Sequence, residues 1–142
     1  MNIFSLFFLI LFLFSPLIAD EENEYVDVSL SIKPNEIKAG GKGQIFVFFK
    51  PQKGIYINLD PPIEFEIADD GTALGKMEIQ KSKKNEYLDT NKPLKQHFTI
   101  KKGLPAGTYT LKGKLIYFYC SDAEGWCSRF TQPFQFNLKI LK

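Results

Sequence analysis

The sequence predicts an all-β fold, and three observations carry that expectation. After the first twenty positions, apolar residues recur with a period of two along nearly the whole chain. Clusters of Gly, Pro, Asn and Asp separate the alternating segments at short intervals. No window carries the 3.6-residue repeat of a helix over a useful length. At 142 residues the chain is long enough for one domain with a real core.

The opening segment stands apart from this pattern. Ile3 to Phe14 is an almost unbroken apolar run (IFSLFFLILFLF), followed by Ser15, Pro16 and Leu17-Ile18-Ala19-Asp20. A bilayer span needs about 20 apolar residues, so the run matches the apolar region of a secretory signal. Pro16 would end its helix and Ala19 would sit at the cleavage point. Residues 1–19 are expected to be a signal peptide and residues 20–142 the exported domain. No Lys or Arg precedes the run, and Leu17 stands where a small residue is preferred, so an uncleaved anchor is the alternative.

An acidic start (Asp20, Glu21, Glu22, Glu24) leads into Val26, Val28, Leu30 and Ile32, which alternate with polar residues as in a half-buried strand. Pro34-Asn35 and Ala39-Gly40-Gly41-Lys42-Gly43 predict turns. Ile45, Val47 and Phe49 interleave with Phe46 and Phe48, a strand apolar on both faces and therefore central or under a second layer. Gly54 opens Ile55 to Leu59, and Pro61-Pro62 stops it. Ile63, Phe65 and Ile67 form another strand before the Asp69-Asp70-Gly71 turn. A short strand around Met77 and Ile79 follows, and then a polar stretch from Lys81 to Pro93 whose only pattern is Tyr87-Leu88. Phe98 and Ile100 mark a strand, and Gly103 to Gly107 a turn. Thr108 to Cys120 reads as a long strand with a break at Gly113. Cys127 to Phe130, and then Phe134 to Ile140, complete seven to nine short strands. That pattern predicts an immunoglobulin-like β-sandwich, with a closed barrel as the alternative.

Charge and residue counts exclude several function classes. With 18 basic and 16 acidic residues, and no long run of either sign, the chain has no footprint for nucleic acid. A single histidine, His97, cannot supply a blue-copper site, and with two cysteines it falls short of a zinc site, so no metal is expected. Its place within a strand predicts a surface or hydrogen-bonded histidine rather than the base of a triad. The Gly40 to Gly43 cluster opens no helix and so is no phosphate loop. No cofactor is implied.

Cys120 and Cys127 are the only cysteines. In an exported chain they are expected to be bonded at least part of the time. Six residues separate them, so the bond closes a loop of about eight residues, worth roughly 2.5 kcal/mol by chain entropy against about 4–5 for a large loop. The spacing leaves two readings open: a structural bridge, or one that opens and closes in use.

The stretch Tyr119-Cys120-Ser121-Asp122-Ala123-Glu124-Gly125-Trp126-Cys127 resembles the active-site segment of the periplasmic N-terminal domain of the thiol–disulfide interchange protein DsbD. Gly54-Ile55-Tyr56 resembles that family's Gly-aromatic-aromatic strand. Asn85-Glu86-Tyr87 resembles in part its cap loop, an acidic pair followed by an aromatic residue over the disulfide. The loop between the cysteines is one residue longer here, Ser128 follows Cys127 where a Pro-containing stretch is common, and Asn85 replaces an acid.

The resemblance implies an immunoglobulin-like module in the periplasm, or secreted, that stands free of the family's membrane and thioredoxin-like domains. Cys127 would form the mixed disulfide and Cys120 would resolve it. Tyr87, Glu86, Tyr56, Tyr119 and Trp126 would contact the partner. A thioredoxin-like protein or a membrane electron transporter would be the donor, and exported thiol proteins the clients. The other class of function left open is an exported binding or assembly module with a purely structural disulfide.

Overall fold

The computed structural model describes residues 21–84 and 86–142. The expected signal peptide, Asp20 and Asn85 lie outside them. The described chain forms nine strands: β1 (Val26–Lys33), β2 (Glu36–Lys38), β3 (Lys42–Pro51), β4 (Ile55–Ile57), β5 (Glu64–Ile67), β6 (Thr72–Glu78), β7 (Leu94–Ile100), β8 (Gly107–Ser121) and β9 (Trp126–Leu141). They pair into two sheets that face one another, so the fold is a sandwich and not a closed barrel. One sheet has the order β1-β3-β7-β6. In the other the order is β2-β9-β8-β4, and β5 pairs with β8 beyond the end of β4. Among the described residues no helix is long and apolar enough to cross a membrane.

The period-two pattern sets which residues fill the space between the sheets. Ile45, Val47 and Phe49 of β3 and Leu94, Phe98 and Ile100 of β7 meet Ile55, Ile57, Leu111, Leu115, Tyr117 and Leu138 from the other sheet. Strand β3 is central, lying between β1 and β7. Its second apolar row is not under another layer, however. Phe48 is 48% exposed, and the ammonium groups of Lys33 and Lys95 each lie 5.8 Å from the Phe46 ring centroid. Tyr117 is fully buried, and its hydroxyl accepts a hydrogen bond of 2.9 Å from Asn23 Nδ2. Burial drives the phenol's ionisation well above the ordinary tyrosine range.

The long hairpin of β8 and β9 is the axis of the second sheet. It pairs without a break from Gly107 with Ile140 to Ser121 with Trp126. The break expected at Gly113 does not occur. Gly113 lies in the middle of β8, where a Cβ would run into the Glu66 carbonyl oxygen of β5 and the Phe134 ring. Glycine there admits close approach of the β5 backbone instead of ending the strand. Pro133 continues β9 at a position where, among the described residues, only β8 pairs with it, since β2 joins β9 further on at Lys139 to Leu141. The missing N–H of proline then falls on the free edge.

Candidate functional site

Cys120 and Cys127 stand directly opposite one another at the tip of this hairpin, with Cα atoms 4.0 Å apart, and are joined by a disulfide. The four residues Asp122 to Gly125 make the turn. Ser121 holds it through two bonds: its carbonyl accepts from Gly125 N–H at 2.8 Å and its hydroxyl from Glu124 N–H at 3.3 Å. Gly125 has φ of +71°, a left-handed conformation that other residues adopt at a cost.

Alternation decides which way each side chain faces. Tyr117 and Tyr119 point into the sandwich, so Cys120 and its cross-strand partner Cys127 lie on the outer face. The two sulfurs have different surroundings there. Cys120 is buried, at 6% exposure, and Cys127 is exposed. On its other flank Cys120 pairs with Tyr56 of β4. Asn58, two residues further on, accordingly lies on the same face as Tyr56. Asn58 Nδ2 donates to Cys120 Sγ at 2.9 Å and lies 4.0 Å from Cys127 Sγ. Asn58 Oδ1 is buried and finds no partner among the described residues. Leaving a buried acceptor unpaired costs about 1–3 kcal/mol.

A small ladder covers this face. Ser82 N–H donates to the Tyr87 carbonyl and Asp89 N–H to the Gln80 carbonyl, each at 2.8 Å. Tyr87 bridges to Asn58, and Leu88 N–H donates to the Ile57 carbonyl at 2.9 Å, which ties the ladder to the end of β4. Leu88 anchors it by entering the core. Tyr87 stacks on Tyr56 with ring centroids 4.8 Å apart, and its hydroxyl donates to Asp122 Oδ1 at 2.8 Å. That bond raises the pKa of Tyr87, with partial burial and the negative charge of Asp122 and Glu86 adding to it. Tyr87 thus reaches from β4 to the loop between the cysteines.

Beside it lies a cleft of about 360 Å³ whose walls include Asn58, Glu86, Tyr87, Trp126 and both cysteines. The structure therefore brings Cys120, Cys127, Tyr87, Glu86 and Trp126 together, with Tyr56 under Tyr87. Tyr119 lies elsewhere, buried on the inner face in contact with Tyr25 and Trp126, with ring centroids 6.1 and 5.9 Å away. Trp126 Nε1 donates to Glu124 at 2.6 Å while its ring packs on Tyr25. Asn85 lies outside the described residues. The sequence reading omitted Asn58, although period two from Tyr56 puts it on the face of the sulfurs.

His97 is remote from this site, on the outer face of the other sheet. Its Nε2 lies 2.8 Å from Glu78 Oε1, and Gln44 also contacts the ring. This contact holds the Glu78 carboxyl below its ordinary pKa. Among the described residues no group of three His, Cys, Asp or Glu side chains is placed to hold a metal ion.

No protein-family model and no curated protein matches the chain. Among solved structures, the yeast GGA1 GAE domain is 14% identical with a TM-score of 0.41, over 80% of this chain and 95% of that one. A lipoprotein from Bacteroides thetaiotaomicron is 17% identical with a TM-score of 0.36, over 84% and 85%. Both likenesses are too distant to carry an argument.

Proposed function

We propose that this protein is an exported thiol–disulfide exchange domain that passes reducing equivalents through the Cys120–Cys127 pair. One observation carries the reading: a disulfide at a hairpin tip with one sulfur exposed beside a cleft and the other buried behind it. Exchange requires a thiolate to attack one sulfur while the other leaves. The exposed Cys127 suits attack by a docked protein, and the sheltered Cys120 suits the leaving and resolving role. The donor would be a thioredoxin-like protein or a membrane electron transporter, and the clients exported thiol proteins. The resemblance of Tyr119 to Cys127 to the DsbD segment supports the same reading, and the leader-like run at residues 3–14 supports export.

The surrounding charge suggests why such a domain would wait for its partner. Asp60, Glu86 and Asp122 line the cleft beside the sulfurs, and like-charge repulsion disfavours a free thiolate there. Tyr87 adds a steric cover. Activation then falls to the docked partner, which displaces the cover and brings the attacking thiolate.

The test is the reduction potential of the purified protein, equilibrated in defined glutathione or dithiothreitol buffers. A value between about −180 and −270 mV, the range of working redox proteins, is expected. A value below about −300 mV, typical of structural disulfides, would overturn the reading. It would leave an exported immunoglobulin-like binding module.

A further inference from the structure

We propose that Asn58 is a catalytic residue of this exchange, holding the leaving thiolate of Cys120 through its side-chain N–H. The inference rests on the exchange reading above and adds a residue that neither the cysteine motif nor the cover contains. Asn58 Nδ2 lies 2.9 Å from Cys120 Sγ and 4.0 Å from Cys127 Sγ, so its donor sits much closer to one sulfur than to the other.

The orientation of the carboxamide is informative. A disulfide sulfur carries no proton, so it can only accept, and weakly. Directing Nδ2 at it leaves Oδ1 buried without a partner among the described residues. A weak bond to a neutral sulfur poorly compensates a buried orphan acceptor, and such a group calls for a specific explanation. Charge on the sulfur provides one, since hydrogen bonds to an ionised acceptor are roughly twice as strong as neutral ones. The arrangement matches the transition state, in which negative charge grows on Cys120, better than it matches the resting disulfide.

A thiolate of a dithiol partner attacks Cys127 Sγ, and a partner–Cys127 bond forms as the Cys127–Cys120 bond breaks. The electron pair of the broken bond goes to Cys120 Sγ, which leaves as the thiolate that Asn58 Nδ2 holds. The partner's second thiol loses its proton and attacks the partner sulfur of the mixed disulfide, releasing Cys127 as a thiolate. The partner ends as a disulfide, and the domain, after taking up two protons, as a dithiol. With Cys120 protonated, the carboxamide can turn and accept the S–H through Oδ1. The buried acceptor would then gain a partner in the reduced state.

The test compares the parent with Asn58→Leu and Asn58→Asp, two variants of similar size that lack the donor. The first readout is the rate of disulfide reduction by dithiothreitol. The second is the pH midpoint of Cys120 thiolate formation, followed by ultraviolet absorbance in a Cys127→Ser background. Loss of one hydrogen bond to a charged group is expected to slow reduction severalfold and move the midpoint up by about one unit. A merely structural asparagine would lower the unfolding midpoint without moving the thiolate midpoint. Reduction rates within twofold of the parent and an unmoved midpoint, in whichever variant folds, would overturn the proposal. Dithiothreitol needs no protein partner, so this result is independent of the exchange reading. That reading fails instead on the reduction potential.

Discussion

Two contacts of Tyr87 serve different ends. Its ring stacks on Tyr56, which belongs to the scaffold, and its hydroxyl bonds to Asp122, which belongs to the loop that the disulfide closes. The stack holds the side chain whatever the state of the sulfurs, whereas the hydroxyl bond links the cover to the redox loop. Tyr87→Phe keeps the first and removes the second. Because that bond is at the surface, the variant should lose no more than about 1 kcal/mol in urea unfolding. Tyr87→Ala removes both contacts and opens the cleft on one side. Reduction by a thioredoxin-sized protein should then be severalfold faster in Tyr87→Ala than in the parent, with Tyr87→Phe between them. Stopped-flow reduction at fixed donor concentration measures the series. Equal rates in all three proteins would mean that Tyr87 does not shield the sulfurs.

At the scale of elements, the β8–β9 hairpin carries the site, and its continuity depends on residues that resemble interruptions. Gly113 opposes Phe134 across the hairpin and lies against the Glu66 carbonyl of β5. Gly113→Ala would push β5 away from β8, at a cost of about 1–3 kcal/mol for overpacking. Urea unfolding should record that loss while the rate of dithiothreitol reduction stays that of the parent, because the strain is absorbed far from the sulfurs. Glycine and proline within an alternating run carry two meanings, a break or a close approach, and neighbours in sequence cannot choose between them. The partner strand does, which is why the break expected at Gly113 is absent. Alternation itself is local, so most strands, the Asp69-Asp70-Gly71 turn and the cysteine hairpin were legible. β2 was not, because it holds a single apolar residue, Ile37, set between two turn signals. Asn58 was overlooked for a related reason. Its contact with Cys120 spans 62 residues, and an asparagine ahead of Asp60-Pro61 looks like turn chemistry until β4 is laid beside β8.

At the scale of the whole molecule, a domain that cycles between disulfide and dithiol must keep its fold in both. The bridge lies within a hairpin whose fifteen-residue β8 is already in register with β9. Below it the stack of Tyr25, Trp126, Tyr119 and Tyr117 ties the tip of the hairpin to the core. Closing a loop of about eight residues contributes roughly 2.5 kcal/mol in the chain-entropy model, a minority of the 5–15 kcal/mol usual for a domain. The double variant Cys120→Ser with Cys127→Ser should therefore remain folded. Its near-ultraviolet circular dichroism should match the parent's apart from the disulfide band, and its unfolding free energy should be lower by about 2–3 kcal/mol. The parent reduced with dithiothreitol should behave as the double variant does, because both lack the same covalent link and retain the same pairing. Loss of the near-ultraviolet signal in either would mean that the bridge holds the sandwich together, which a reversible shuttle could not tolerate. A loss much below 1 kcal/mol in both would instead mean that the paired hairpin restrains the loop in the unfolded chain as well. The redox chemistry would then be nearly uncoupled from folding.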